Sequence, residues 1–587
     1  MKRRLSLILA IALILTLFAG CGGKSETSAK PSETAEATSG ATSAPTAGPT
    51  AAATPAQTDS PYHFAAGNFE TDAEGWPLAK YEYELPLTTQ EETFSLMTCS
   101  YVPQYIPEEG MIGIPIWSNM AEMTGVNIEY NITTIVDTAE RFAILLAADD
   151  LPDICSQGQN RYNGTQQEAI SDGWFVNIAD YREYIPNYLY EIRERSKANP
   201  NIYEKVFLDD ETACVFYTMS KIQTGIGWFI REDLMEELGL GKAKDITTLD
   251  QLHEVFKAFK VSYGDEGFWP MILYYCFELG GGKLLSCYNT ALFTFAIGYY
   301  KRIVNGQVEF CGATDDDLAA ITTLNEWWNE GLIDPNWSSY TGNPDLGSQF
   351  ANGTMGYVFL TPDDSVVRNA ECVDPDCKYM PTPRMRLTED QVLKWGLAPN
   401  SLGDGSYVVS ADCANIPLCL TWIDWQYSED GSEYISWGPE GDLWNYNENG
   451  ERMLSDFILN HDAGSTWIMQ LYGASTISDG GLVDNSRNYA IPGGKELLEM
   501  LEVWDVSGYY DGEYDWHDGI RLTEDQNSEV GRLSGDINTY YAENYSLFLI
   551  GERPLNEWDS YIQTLMDIGL ERTYEIYNDA YQAYLGA

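Results

Sequence analysis

The chain has 587 residues, with 89 Asp and Glu against 34 Lys and Arg, giving a formal net charge of −55 at pH 7. Such a balance excludes nucleic acid as a partner, because phosphates are held by clustered Lys and Arg; it speaks for solubility and says little about fold. Chains beyond about 250–300 residues outgrow a single core, so two lobes or domains are expected.

Lys2, Arg3 and Arg4 precede an uncharged, mostly apolar run over residues 5–19. About fifteen residues are too few to span a bilayer core of roughly 30 Å as a helix, and they suit the h-region of an export signal. The run closes on Phe18, Ala19, Gly20 and Cys21. This resembles the lipobox of bacterial lipoproteins, with Phe18 where leucine is usual, and implies that Cys21 carries lipid; an ordinary secretory signal is the alternative. Residues 21–60 are dominated by Gly, Ser, Thr, Ala and Pro. They cannot build a core and read as a disordered tether with a reach of about 35 Å. No later segment is apolar for eighteen residues, so no second anchor is expected.

Beyond the tether, short apolar runs alternate with amphipathic segments, the pattern of α/β lobes. Residues 94–98 read as a strand, 116–124 as a helix, 127–131 as a strand, 139–148 as a helix and 153–155 as a third strand. Thr248 and Gln251 form a capping box ahead of Leu252, Val255, Phe256 and Phe259, which share one helical face. Thr314 caps a further helix that turns Leu318, Ile321, Leu324 and Trp328 inward, ended by Gly331 and Pro335. Tyr574, Tyr577, Tyr581 and Tyr584 form a packing stripe near the end. Ten of the 11 cysteines are scattered without a C-x-x-C; Cys372 with Cys377, Cys413 with Cys419, or buried free thiols all remain open.

Catalytic patterns are scarce. The chain has four histidines; His253 and Glu254 are followed by Lys257 where a zinc protease needs histidine, and Gly280 to Lys283 only superficially suggests a phosphate loop. Asp511, Glu513, Asp515 and Asp518 alternate without the glycine and terminal glutamate of a calcium loop, and read as a solvated turn. A glycosidase needs two carboxylates roughly 5–9.5 Å apart, and abundant acids make such pairs uninformative.

Several segments together resemble the extracellular solute-binding proteins of carbohydrate ABC importers, family 1, including the LipO-like lipoproteins. They are TGVNIEY (124–130), AADDLPDI (147–154), IREDL (230–234) with LGL (238–240) and TTLD (247–250), EGLIDP (330–335), GTMGY (353–357), WGPEG (437–441) and the closing residues 558–584. The resemblance implies an α/β, two-lobed periplasmic-binding-protein-like fold of type II, hinged between the lobes. It divides the chain into a lipoprotein signal peptide (1–20), the tether (21–60), the first part of lobe 1 (61–222), lobe 2 (223–380), and a return to lobe 1 with C-terminal helices completing both lobes (381–587). Crossings are expected near residues 220–225 and 379–383.

The implied role is non-enzymatic. A monomer held by lipid at the extracellular face of the membrane would capture a mono- or oligosaccharide and present it to ABC permease subunits, with no cofactor. Relatives carry a calcium-like loop after AFK (258–260). Here VSYGDEGFW (261–269) lacks the alternating oxygen ligands, so no metal is expected. A surface glycoside hydrolase or transferase, and a ligand-presenting sensor subunit, are the alternatives.

Ligands of open α/β lobes sit at the carboxyl ends of strands, and sugars ask for aromatic platforms with polar side chains around them. The candidates are therefore Tyr101 and Gln104 after the first strand, and Gln157, Asn160 and Arg161 after the third, where the stretch resembles the ligand loop of maltose-binding proteins. Trp228 follows the first crossing, Tyr274, Tyr275 and Glu278 follow an apolar run, Asp363 follows the strand at 357–360, and Trp437 lies in the closing segment.

Overall fold

The computed structural model describes residues 60–586 apart from 210, 223–225, 265–266, 274–283, 292–299, 341–342, 398–401 and 476–477. Cys21, Tyr274, Tyr275 and Glu278 therefore lie outside the described residues. Ten strands form the two larger sheets: β1 (Glu92–Ser100), β2 (Val126–Thr134), β3 (Ile154–Ser156), β4 (Phe216–Ser220), β5 (Gly227–Arg231), β6 (Trp269–Met271), β7 (Met355–Leu360), β8 (Tyr379–Pro381), β9 (Leu402–Val409) and β10 (Gly481–Val483).

The first sheet has the order β10-β4-β9-β3-β1-β2. β1 runs parallel to both β2 and β3, β10 runs parallel to β4, and β9 is antiparallel to its neighbours β3 and β4. In β1, Phe94, Leu96, Met97 and Cys99 are all buried, so this strand is covered on both faces, as parallel strands usually are. The pairing of β9 with β4 shifts register between Leu402 and Ser406. Gly405 sits at that irregularity, where any Cβ would collide with the Asp479 carbonyl and the Thr218 hydroxyl. Glycine here lets the Asp479 backbone lie directly against the sheet. The second sheet has the order β8-β5-β7-β6, with β6 parallel to β7 and the other pairs antiparallel.

Apolar burial divides into two main cores. One gathers residues from Trp76 to Met219 and from Leu402 to Ala490; the other gathers residues from Trp228 to Leu393 and from Trp504 to Tyr581. The chain thus passes from one core to the other between Met219 and Trp228, between Leu393 and Leu402 and between Ala490 and Trp504. The segment 379–383, where a crossing is expected, is instead strand β8, paired antiparallel with β5 and followed by Met385 and Leu393 in the second core.

Helix signals were legible. Thr248 and Thr314 both complete reciprocal capping boxes, with Gln251 and Asp317. In the helix Asp315–Asn329 the buried stripe runs through Ala320, Ile321, Leu324 and Trp327, leaving Leu318 and Trp328 half-buried. The 3.6 period allows a step of three or four after Leu324, and packing of Trp327 on Phe256 at 5.2 Å decides for three. The C-terminal tyrosines pack as read: Tyr574 stacks on Phe310 at 4.6 Å, and Tyr581 is buried in the second core.

The cysteines Cys99, Cys155, Cys214, Cys287, Cys311, Cys372, Cys377, Cys413 and Cys419 are free thiols. No group of three or more His, Cys, Asp or Glu among the described residues is arranged to hold a metal. In the acidic turn, Asp515 instead accepts the Gly396 N–H at 2.7 Å, and Glu513 pairs with Lys394. No helix of the described residues is long and apolar enough to cross a membrane.

Polar contacts join the two cores away from the sheets. The Glu204 carboxylate, on the helix Asn201–Val206, accepts the Tyr584 hydroxyl at 2.7 Å and the Gly519 N–H at 3.1 Å. Arg521 donates to the carbonyls of Glu204, Phe207 and Leu208, satisfying groups a helix end leaves free.

A second ionic feature anchors the first core. The helix Pro186–Ser196 has Ile185 at its N-cap, which offers no side-chain oxygen. Asp424, on the buried helix Ile416–Trp425, fills that role from outside. Its carboxylate accepts the N–H groups of Asn187 (3.1 Å) and Tyr188 (2.7 Å), the Asn187 side-chain amide (3.0 Å) and the Tyr83 hydroxyl (2.7 Å). Burial still pushes the carboxyl up to about 7, against these donors. The folded chain therefore keeps a proton that the unfolded chain releases near pH 4, and this contribution to stability falls as pH rises from about 4 to about 7. Urea titrations should find the advantage of the native protein over Asp424→Asn greatest near pH 4 and shrinking towards pH 7. A gap that widens over that range would reverse the assignment.

Candidate functional site

β1, β3, β4 and β10 all end on the same side of the first sheet, where antiparallel β9 begins. A pocket lies under that edge. Its wall is made by Thr98, Ser100 and Tyr101 from β1 and the turn after it, Tyr130 and Ile132 from β2, and Tyr407 from β9. Trp422 and Gln426 close it from the helix Ile416–Trp425 and its end, and Trp117 from the helix Pro115–Thr124. The last side is made by Trp467, Gln470, Ser475, Ser478 and Asp479.

Two rings mark its mouth. Tyr101 and the exposed Trp467 stack at 4.7 Å with an interplanar angle of 23°. Deeper in, Asp479 is the one charged side chain among the described residues of the lining. Its carboxylate accepts the Ser475 N–H at 2.8 Å and lies 3.4 and 3.5 Å from the Ser478 and Thr98 hydroxyls, with Tyr407 a further donor. Burial lifts this carboxyl to about 6 despite the donors. The same burial raises the phenols of Tyr130 and Tyr407. The indole N–H of Trp422 is buried with no hydrogen-bond partner, and the Gln426 amide donates only a long 3.4 Å bond to the Trp422 carbonyl. A buried donor without an acceptor is costly, so a polar guest has something to offer here.

Of the residues expected from sequence, Tyr101 lines this pocket. Gln157, Asn160 and Arg161 stand beside it at the end of β3, on a turn that starts with Gln157 in the left-handed region at φ 52°. Arg161 donates to the Gln157 carbonyl and side-chain oxygen at 3.1 and 3.0 Å, and burial lowers its pKa. Asn160 and Gln104 are exposed and outside the pocket wall. Asp363 falls in the helix Pro362–Glu371 that follows β7.

Trp228 and Trp437 lie outside this pocket's wall. Trp228 is buried in the second core and stacked on Tyr357 at 5.0 Å. Trp437 is buried, donates to Asp484 at 3.1 Å and lies 5.1 Å beneath the Arg452 guanidinium. Trp467, Gln470 and Asp479 escaped the sequence reading because no strand precedes them. Their one legible signal is an aromatic and an amide three residues apart at the end of a short helix, Ser465–Met469.

No family model matches the sequence, and no curated relative matches it. Solved structures do. An HMO-binding, ABC-transporter-associated solute-binding protein from Bifidobacterium longum infantis superposes with a TM-score of 0.63 at 18% identity, over 84% of this chain and 99% of that one. The S. pneumoniae ABC-transporter substrate-binding protein FusA, in complex with kestose, gives 0.57 at 18% identity over 84% and 100%. The alginate-binding protein AlgQ2 gives 0.59 at 18% identity over 84% and 99%. With its two sheets, its two cores and these likenesses, the chain has the two-lobed α/β fold of periplasmic-type solute-binding proteins.

Proposed function

We propose that this chain is the substrate-binding subunit of an ABC importer, capturing a mono- or oligosaccharide between its lobes and releasing it chemically unchanged. The observation that carries this reading is the pocket at the carboxyl ends of the first sheet's strands, floored by Trp117 and Trp422 and fronted by the Tyr101–Trp467 pair. Aromatic faces suit the C–H faces of a sugar, and the amides and carboxylate beside them suit its hydroxyls. The neighbours in fold, by their titles, bind milk-type oligosaccharide (HMO), kestose and alginate, which supports carbohydrate as the ligand class.

The passages of the chain from one core to the other would serve as the hinge. Ligand contacts to both lobes favour the closed form only through their differential affinity for it. Within this reading Cys21 holds the protein at the outer face of the membrane by two acyl chains, enough for lasting attachment.

A ligand that binds the native state alone raises its stability. A glycan panel should therefore yield one class that raises the melting temperature, with a smaller radius of gyration in solution scattering. No response to any glycan, alongside a response to peptides, would leave a binding protein for another solute. Product analysis after incubation separates binding from hydrolysis: turnover surviving repurification would make it an enzyme.

Tyr101→Ala and Trp467→Ala should each weaken the responding glycan by ~1–2 kcal/mol, about 5- to 30-fold in Kd, with the melting temperature of the free protein nearly unchanged. Cys21→Ser should abolish labelling by palmitate in cells and move the protein from the membrane fraction to the medium.

A further inference from the structure

Among the described residues two pairs of thiols meet, Cys372 with Cys377 and Cys413 with Cys419. They differ in access. Cys413 and Cys419 are 6% and 0% exposed, inside the first core. Cys372 is half-buried, so solvent reaches it, while its partner Cys377 is buried. Disulfide exchange needs one thiol that a reagent can reach, and of the two pairs 372–377 supplies it.

The turn between these thiols is pinned at both ends. Cys372 follows the helix Pro362–Glu371 in extended backbone, at φ −67° and ψ 137°. The next N–H, of Val373, donates to the Ala351 carbonyl at 2.8 Å, and the Cys377 N–H donates to the Asp374 carbonyl at 3.2 Å. The Tyr379 N–H, at the start of β8, donates to the Asn369 side chain at 2.8 Å and ties strand to helix. Backbone contacts therefore bring the two sulfurs together before any bond links them.

A buried cation stands beside the pair. Arg231 is 1% exposed; it donates from Nη2 to the Asp374 carboxylate at 3.0 Å and from Nη1 to the Gly353 carbonyl at 2.8 Å. A Cβ placed on Gly353 would lie 2.8 Å from Arg231 Nη1 and 2.9 Å from Cys372 Sγ, so guanidinium and thiol crowd one spot. Burial pushes the Cys377 thiol up, and the Arg231 charge works against that rise. Arg231 thus holds the turn and offsets part of what a thiolate would cost there.

We propose that Cys372 and Cys377 form a thiol–disulfide exchange site, with Cys372 the attacking thiol and Cys377 the resolving one, oxidised by a low-molecular-weight disulfide. The Cys372 thiolate displaces one thiolate from that disulfide and forms a mixed disulfide. Cys377 then attacks the Cys372 sulfur and releases the second. The two cysteines lose two protons and two electrons, and the reagent leaves as two thiols that carry both. The new bond joins the end of the helix to the start of β8. Export past the reducing cytosol, implied by the N-terminal run, would bring the site to such reagents; what the pocket binds has no bearing on it.

The test uses the full chain without its lipid, reduced, freed of reductant and kept folded at about pH 8, near the range of a free thiol, with oxidised glutathione. After an acid quench, free thiols are alkylated and the digest is read by mass spectrometry. Cys372 and Cys377 should be joined with no glutathione retained, while Cys413 and Cys419 should be recovered as alkylated thiols. Closing so short a loop should raise the melting temperature by about 2–5 °C over the reduced form. Cys377→Ser should accumulate glutathione on Cys372, the trapped intermediate, and Cys372→Ser should take up none at Cys377.

Native protein that keeps both thiols free, or that retains glutathione on Cys372 without closing the bond, overturns the proposal. So does oxidation of Cys413 and Cys419 at the same rate in the folded protein, because access would then not select the pair.

Discussion

Apolar burial in this protein is split between two cores that never merge, and the chain is committed to both more than once. The first core takes residues up to Met219 and again from Leu402 to Ala490; the second takes the interval between and the C-terminal helices. Each core supplies its own large side chains, such as Trp422 and Trp425 in one and Trp327 and Tyr561 in the other. Because hydrophobic burial dominates folding energy, each lobe holds its shape by itself. Contacts between them at Glu204, Asn201 and Arg521 are hydrogen bonds, of a kind that water can replace.

That division also explains where the pocket lies. Parallel strands β1 and β3 must end on one side, and the loops that leave them carry Tyr101 and Arg161 there. The antiparallel β9 enters on the same side, and Gly405 gives the Asp479 backbone room to lie against it. Tight backbone approach thus sets Asp479 under the strand ends, and burial then lifts its carboxyl to about 6. Asp424 shows the same physics used for structure. It too is a buried carboxylate raised by burial, yet its oxygens are taken up by a helix N-terminus, Asn187 and Tyr83, and it faces no pocket opening.

The features legible in the order of the residues are local. Hydrophobic periodicity located β1, β2, β3 and the helices between them, threonine caps located two helix starts, and the alternation of elements fixed an α/β class; these depend on neighbours within a few residues. The rule that ligands gather at strand ends was enough to reach Tyr101. What depends on partners distant in the chain emerges only on folding. The crossing that the resemblance implied at 379–383 is an edge strand, where a terminal proline is tolerated, and pairing with β5 keeps this segment in the second core. Trp327 rather than Trp328 turned inward because Phe256 was there to receive it. Trp228 and Trp437 are buried for the same reason, each meeting a partner from another element. Trp467 and Asp479 joined Tyr101 through a fold in which hundreds of intervening residues return to the same sheet, and no local pattern encodes that encounter.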